Sequence, residues 1–122
     1  IETKYEASTL LKNFPIDDIH EINSFLDQYV KIWEFFDVDI FFDTDDINNV
    51  YEWRLQQEHE LIKLRGTGMT DEQVRAFITR YMVVYELYYR DFTERGTPAT
   101  PDGQNFRIKL DRNRGIEKTE IF

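Results

Sequence analysis

Apolar residues recur at helical spacing in three stretches of the chain. In residues 15–36 they fall three or four positions apart, and Asp17 and Asp18 lie where the positive end of a helix favours acidic side chains. A second helix is predicted over residues 47–64, with a threonine or aspartate cap just before it. The third helix carries a stripe made of Val74, Phe77, Ile78, Tyr81, Tyr85, Tyr88 and Phe92. We expect this stripe to lie in the core.

Three shorter stretches favour strands. Residues 38–42 are nearly continuous in apolar side chains, which is typical of a strand covered on both faces in a parallel sheet. Residues 106–110 and 116–122 flank the turn DRNRG and predict a strand pair. Residues 95–105 concentrate proline, glycine and small polar residues and are interpreted as a surface loop. The pattern predicts a helix-rich α/β chain, in which one parallel strand needs neighbours that the chain barely provides.

Gly66 and Gly68 interrupt the chain between the second and third helices. A loop that cradles phosphate needs a lysine and a hydroxyl residue directly after its last glycine, whereas Met69 follows Gly68. A dinucleotide-binding fingerprint needs a strand before the glycines, and here a helix precedes them. We interpret the two glycines as a helix terminator and a tight turn. Thr70 with Gln73 predicts a capping box for the third helix.

Composition narrows the class of protein. The 122 residues suit one domain, with 41% hydrophobic and 16% aromatic residues available for a core. The 15 Lys and Arg residues against 24 Asp and Glu residues give a net charge of −9, which opposes nonspecific binding to nucleic acid or an anionic membrane. The chain has no cysteine, which excludes disulfides and thiolate chemistry, and its first residues lack the pattern of a signal peptide. A cytoplasmic location is expected.

Much of the acidity is concentrated around the first predicted strand. The residues concerned are Asp37, Asp39, Asp43, Asp45 and Asp46. Such a run is usually a solvated edge. Clustered carboxylates also suit a divalent cation, but the stretch lacks the central glycine and final glutamate of a calcium-binding hand. We assign no metal ligand here.

The second helix carries polar residues within an apolar stripe. Val50, Arg54, Gln57 and Leu61 fall on one side of the helix, so a guanidinium and an amide interrupt the stripe at its centre. Two interpretations stay open. Arg54 can pair with Glu58 one turn later, which needs no ligand. Alternatively, Arg54 can point at a phosphate, which its planar guanidinium suits.

Three segments around these residues resemble a known family. The runs INNVYEWRLQQEHELI, GTGMTDEQV and FITRYMVVYELYY closely resemble the C-terminal part of the plant and fungal ATP-dependent glycerate kinases. This family is related to uridine kinase, phosphoribulokinase and pantothenate kinase. The likeness covers the chain from about Pro15 to its end. It implies an α/β P-loop kinase fold, in which residues 38–42 form one strand of a parallel sheet and the last two strands form a closing hairpin.

The resemblance also implies roles for particular residues. It places Arg54, with Gln57 and Glu58, on a lid helix that approaches the phosphates of ATP. Asp111 and Arg114 in LDRNRGI match the closing I-D-x-x-R-x-V segment, near which the family commonly holds the purine.

One departure from the family pattern concerns the third helix. The family usually has proline after R-Y-M, whereas this chain has Val83. We therefore expect a straighter helix there. This departure bears on Arg80, to which the resemblance gives a role in binding the acceptor substrate.

Phosphoryl transfer needs groups that these 122 residues do not supply. They contain no phosphate-loop lysine, no magnesium-binding hydroxyl that follows such a lysine, and no acidic strand-end residue of the kind that phosphoryl transfer requires. We therefore interpret residues 1–122 as a single piece, the C-terminal lid and sheet-closing part of a kinase whose N-terminal part binds most of the ATP and the Mg²⁺. The acceptor is expected to be a small hydroxy acid, for which the resemblance implies glycerate, and the 122 residues alone are expected to be inactive.

Two other functions were considered from the residues. An acidic, noncatalytic helical module could bind a partner protein through Trp33, Trp53 and the tyrosine-rich third helix. A hydrolase using His20 or His59 is disfavoured, because no serine or acid stands at a recognisable spacing from either histidine.

Overall fold

The computed structural model describes all residues, Ile1–Phe122. The helices are α1 (Glu2–Ala7), α2 (Ile16–Asp27), α3 (Val30–Trp33), α4 (Asn49–Arg65), α5 (Asp71–Val84) and α6 (Arg90–Arg95). The strands are β1 (Asp39–Thr44), β2 (Asn105–Leu110) and β3 (Ile116–Ile121). A 3-10 turn (Leu11–Asn13) precedes α2, and a π-helical turn (Tyr85–Tyr89) joins α5 to α6.

The three strands form one mixed sheet in the order β1-β2-β3. β1 and β2 run parallel, with Asp39 opposite Asn105 and Thr44 opposite Leu110. β2 and β3 run antiparallel, with an irregularity between Lys109 and Leu110. One edge of β1 has no strand beside it. The predicted α/β fold class is confirmed, with helices on a parallel-sheet strand and a closing hairpin.

The turn between α4 and α5 forms as its residues predict. Gly66 ends α4 in the left-handed conformation, at φ 77°, which glycine adopts without steric cost, and its N–H donates to the Ile62 carbonyl at 2.7 Å. The Thr70 hydroxyl accepts the Gln73 N–H, and the Gln73 side chain accepts the Thr70 N–H. The predicted helix terminator and capping box are therefore both present.

The buried core is small and consists of two clusters. The first contains Leu11, Ile19, Val83 and Leu87. The second contains Val74, Ile78 and Met82 of α5, against which half-buried side chains of α4 pack. The stripe expected to lie in the core does so in part. Val74 and Ile78 are buried in the second cluster, whereas Phe77 and Tyr81 are exposed and Tyr85 is half-buried at its border.

The single helix predicted over residues 15–36 is wrong in extent. α2 ends at Asp27 and α3 begins only at Val30, because the amides of residues 28 and 29 bond to carbonyls three residues back. Burial of an apolar face supplies most of the stability of a helix in a protein. Only Ile19 of this segment is buried here, so most of the segment lacks that support.

No helix or strand was predicted before residue 15, yet this part of the chain is packed. Leu11 is fully buried in the first cluster. Lys4 on α1 donates to the Leu87 carbonyl and also pairs with Asp91. The N-terminal segment therefore docks on the π-helical turn.

A large apolar surface is exposed along β1, α2 and α3. It includes Ile22, Phe25, Tyr29, Ile32, Phe35, Phe36, Val38, Ile40 and Phe42. β1 was predicted to be covered on both faces, and in these 122 residues Ile40 and Phe42 are 60% and 63% exposed. None of the helices is both long enough and apolar enough to cross a bilayer.

Candidate functional site

α4 is the central element of the candidate site, because separate contacts hold it from two sides. On one side it packs on α5, where the Tyr51 and Thr79 hydroxyls lie 3.0 Å apart. On the other side it contacts the turn between β2 and β3 through Trp53. Around the axis of α4, the stripe that carries Arg54 and Gln57 lies between these two contacts. The carboxyl ends of the parallel strands β1 and β2, where α/β proteins bind ligands, lie near the start of α4.

The predicted pair between Arg54 and Glu58 is present. Nη1 of Arg54 donates to Oε2 of Glu58 at 2.7 Å, and the Glu58 side chain is only 4% exposed. Oε1 of Glu58 accepts the Met69 N–H at 2.8 Å, so this carboxylate also fixes the turn after α4. The Met69 N–H bond, and then the Arg54 bond, hold the pKa of the Glu58 carboxyl below its usual range. The charge therefore persists at neutral pH.

Arg54 keeps hydrogen-bond donors that the pair with Glu58 does not use. Its side chain is 23% exposed, and its Nε and Nη2 groups donate no hydrogen bond to any residue of the chain. A guanidinium carries five N–H donors, so Arg54 can bind Glu58 and an anion at the same time. The ion pair and the phosphate-facing interpretation are therefore compatible.

Gly68 explains why the turn can approach this carboxylate. A Cβ atom at Gly68 would lie 2.6 Å from Oε1 of Glu58 and 2.7 Å from Cγ1 of Ile62. Both distances are shorter than van der Waals contact allows. Gly68 is thus needed for close approach to α4, whereas Gly66 is needed for its positive φ.

Asp111 organises the turn between β2 and β3. Its Oδ1 atom accepts the N–H groups of Asn113 and Gly115, each at 2.8 Å. Arg114 takes a positive φ of 64°, which is uncommon outside glycine, and its N–H donates to the Asp111 carbonyl at 2.9 Å. Asp111 therefore shapes the backbone from which Arg114 extends.

Three side-chain contacts fasten this turn to α4. Arg112 donates from two nitrogens to the two Glu52 oxygens, each at 2.7 Å, and Nε1 of Trp53 donates to the Arg112 carbonyl at 2.7 Å. Nη2 of Arg114 donates to Oε1 of Gln56 at 2.8 Å. These residues, with Asn113, line an open polar cleft of about 690 Å³. This attachment was not predicted, because nothing in the residue spacing of α4 or of the turn relates the two segments to each other.

The other predicted site residues lie on the surface of the two helices. Gln57 is exposed on α4 and forms no side-chain hydrogen bond within the chain. Arg80 is exposed on α5, next to Thr79, whose hydroxyl meets α4. Val83 is buried in the first core cluster, and α5 continues through it to Val84 before the π-helical turn begins.

Three acidic residues around β1 each contact a different partner within the chain. Asp39 accepts the Thr97 hydroxyl at 2.8 Å, Asp45 pairs with Lys109 at 2.7 Å, and Asp46 accepts the Asn48 N–H at 2.9 Å. The chain contains no group of three or more His, Cys, Asp or Glu side chains arranged to hold a metal ion.

The residues on which an interaction module or a hydrolase would depend have partners inside the chain. Trp33 packs edge-on against Phe92, with ring centroids 5.4 Å apart. Trp53 donates to the β2–β3 turn. His20 contacts Glu2 at 2.9 Å and His59 contacts Asp71 at 2.6 Å, both near the surface.

Comparison with known proteins points to ATP-dependent kinases as a class. No protein-family model matches the chain. The probable ATP-dependent kinase TDA10 of Saccharomyces cerevisiae is 52% identical over 84 residues, which are 66% of this chain and 27% of that protein. More particularly, a solved D-glycerate 3-kinase from Cryptococcus neoformans var. grubii matches 99% of this chain with a TM-score of 0.90 and 36% identity. The chloroplastic D-glycerate 3-kinase of Arabidopsis thaliana is 29% identical over 94 residues, 76% of this chain.

These relatives are much longer than the chain. It covers 43% of the Cryptococcus structure, 27% of the yeast kinase and 21% of the plant enzyme. The predicted resemblance to the plant and fungal glycerate kinases is confirmed. The comparisons lend no support to the alternative of a noncatalytic interaction module.

Proposed function

We propose that the whole protein is an ATP-dependent kinase that transfers the γ-phosphoryl group of ATP to a hydroxyl group of a small hydroxy acid, with D-glycerate as the acceptor. The observation that carries this proposal is the likeness to a D-glycerate 3-kinase, with a TM-score of 0.90 and 36% identity over 99% of the chain. Residues 1–122 then form one piece, the lid and sheet-closing part of a P-loop kinase domain. The rest of the polypeptide supplies the phosphate loop.

The residues of the candidate site suit a nucleotide in their chemistry. Arg54 has unused donors of the kind that bind phosphate oxygens, and the cleft beside Trp53 and Arg114 is polar and open. Bound ATP would supply the phosphoryl group and its charge. The part of this chain is to orient the nucleotide and to balance the charge that develops during transfer.

The three candidate residues on α4 then have distinct roles. Arg54 stabilises the negative charge on the transferred phosphoryl group. Glu58 holds Arg54 in place and fixes the Met69 turn, so its contribution to nucleotide binding is through these neighbours. Gln57, exposed on the same stripe, donates its amide to the nucleotide.

The remaining assignments concern the purine and the acceptor. Asp111 and Arg114 hold the purine side of ATP, with Asp111 acting through the shape of the turn. Arg80 binds the carboxylate of the acceptor, a role that its exposed guanidinium permits. We assign the Mg²⁺ ligands to the part of the protein outside residues 1–122. The kinase acts in the cytoplasm.

The test of this function is an assay of the whole protein with ATP, Mg²⁺ and D-glycerate, in which ADP and phosphorylated product are measured together by mass spectrometry. We expect equal amounts of ADP and 3-phosphoglycerate. L-glycerate and glycolate serve as acceptor controls, and a reaction without acceptor measures simple ATP hydrolysis. Release of ADP at the same rate with and without every acceptor would contradict the proposal.

A further inference from the structure

The free edge of β1 is held by a tyrosine from the π-helical turn. The Tyr89 hydroxyl lies 2.7 Å from Oδ1 of Asp43, to which it donates, and it accepts the Thr44 N–H at 2.8 Å. Burial, and then the Asp43 bond, raise the pKa of the Tyr89 hydroxyl, so it stays protonated and donates at neutral pH. Tyr89 thus gives the carboxyl end of β1 a bond that a neighbouring strand would otherwise provide.

Contacts continue from this point to the start of α4. Thr44 is 3% exposed, and its hydroxyl accepts the Asn49 side-chain amide at 3.0 Å. Asn49 is the first residue of α4, which carries Arg54 little more than one helical turn later. Arg90 adds longer contacts of 3.4 Å to the Thr44 and Asp45 carbonyls. The carboxyl end of β1 is therefore linked directly to the first residue of α4.

The π-helical turn makes this arrangement possible. A π-helical turn contains more residues than an α-helical one, so it rotates the side chains that follow. Tyr89 and Arg90, at the end of this turn, both reach the carboxyl end of β1. Lys4 donates to the Leu87 carbonyl inside the turn, which supplies a partner for a carbonyl in this widened segment. Such turns occur frequently at functional sites.

We propose that Tyr89 is a positioning residue for phosphoryl transfer, because its hydroxyl fixes the carboxyl end of β1 and, through Thr44 and Asn49, the start of α4 and the position of Arg54. This inference rests on the proposed kinase function for its catalytic consequence. Its structural part, the link from Tyr89 to α4, does not depend on that function.

The structural part is tested by hydrogen exchange in the whole protein carrying Tyr89→Phe. This variant keeps the aromatic ring and removes only the hydroxyl. We expect the amides of residues 44 and 49–53 to exchange about three- to tenfold faster, because the bonds of the Tyr89 hydroxyl to Asp43 and Thr44 are lost and the Thr44 N–H keeps only its bond to Oδ1 of Asp43. Tyr88→Phe is the matched control, since it removes a neighbouring hydroxyl that bonds to Asn23 at 2.6 Å on α2. Equal exchange of these amides in both variants would overturn the proposal.

The catalytic part is tested by a double-mutant cycle on kcat. Tyr89→Phe alone is expected to lower kcat about three- to thirtyfold, with KM for ATP changed less than about twofold, since a small misplacement of a catalytic group is costly. In a protein that already carries Arg54→Ala, the same substitution should have little further effect. Full additivity of the two substitutions in their effects on kcat would overturn the proposal. If exchange responds as expected but the unsubstituted protein phosphorylates no acceptor, the kinase function fails while the structural link stands.

Discussion

Replacing Arg54 with alanine in the whole protein is expected to lower kcat by roughly tenfold to a thousandfold, or about 1.4 to 4 kcal/mol of barrier. The expected change in KM for ATP is smaller, because in the role proposed for Arg54 its free donors stabilise charge that develops mainly in the transition state. The measurement is steady-state kinetics with the preferred acceptor, with both substrates varied.

Three further variants identify the cause of that loss. Arg54→Lys should restore only part of kcat, because an ammonium keeps the charge but not the planar arrangement of donors. Arg65→Ala, an exposed arginine in the last turn of the same helix, is the matched control and should leave kcat unchanged. Glu58→Gln measures the effect of weakening the ion pair, and urea midpoints of all variants separate stability from turnover. Unchanged turnover in Arg54→Ala, with only a small loss of stability, would mean that the arginine serves the Glu58 pair alone.

Truncating Ile40 or Phe42 to alanine is expected to destabilise the whole protein by about 2 to 5 kcal/mol, which is typical for buried large apolar residues. The two side chains are 60% and 63% exposed within these 122 residues, on a strand with one unpaired edge. We proposed that they belong to a larger kinase domain, whose remaining part then covers this surface. The measurement is the free energy of unfolding of the whole protein in urea, compared between variants whose dependence on urea concentration has the same slope.

Leu64→Ala is the control for this prediction. Leu64 is 85% exposed on α4, away from β1, and its truncation should change the free energy of unfolding by less than about 0.5 kcal/mol. If Ile40→Ala and Phe42→Ala behaved like Leu64→Ala, the surface would be solvated in the whole protein. The proposal that residues 1–122 are part of a larger kinase domain that covers this surface would then lose its basis.

The parts of the fold that the sequence predicts well depend on contacts between near neighbours. Gly66 ends α4, and Thr70 caps α5, because a positive φ and a hydroxyl three residues before a backbone N–H are local requirements. The hairpin of β2 and β3 was predictable for the same reason. The break between α2 and α3 was not predictable, because the continuity of a helix over residues 15–36 depends on burial that the local pattern does not specify.

The candidate site shows the same division. The Arg54–Glu58 pair follows from a spacing of four residues, and it was among the predictions. The bond from Glu58 to Met69, and those from Tyr89 to β1, join residues 11 and 45 or more positions apart. No spacing in the sequence indicates such contacts. Tyr89 in particular reaches β1 from a π-helical turn, whereas a regular 3.6-residue period would have counted it as an ordinary helical residue.

The central claim is that α4 and the β2–β3 turn form part of the nucleotide site. Its most direct test is hydrogen exchange of the whole protein with and without Mg²⁺ and a nonhydrolysable ATP analogue. We predict that saturating analogue slows exchange in residues 49–58 and 111–115, while α2 (Ile16–Asp27) serves as the reference and changes little. Binding of the analogue with no change in either segment would contradict the claim.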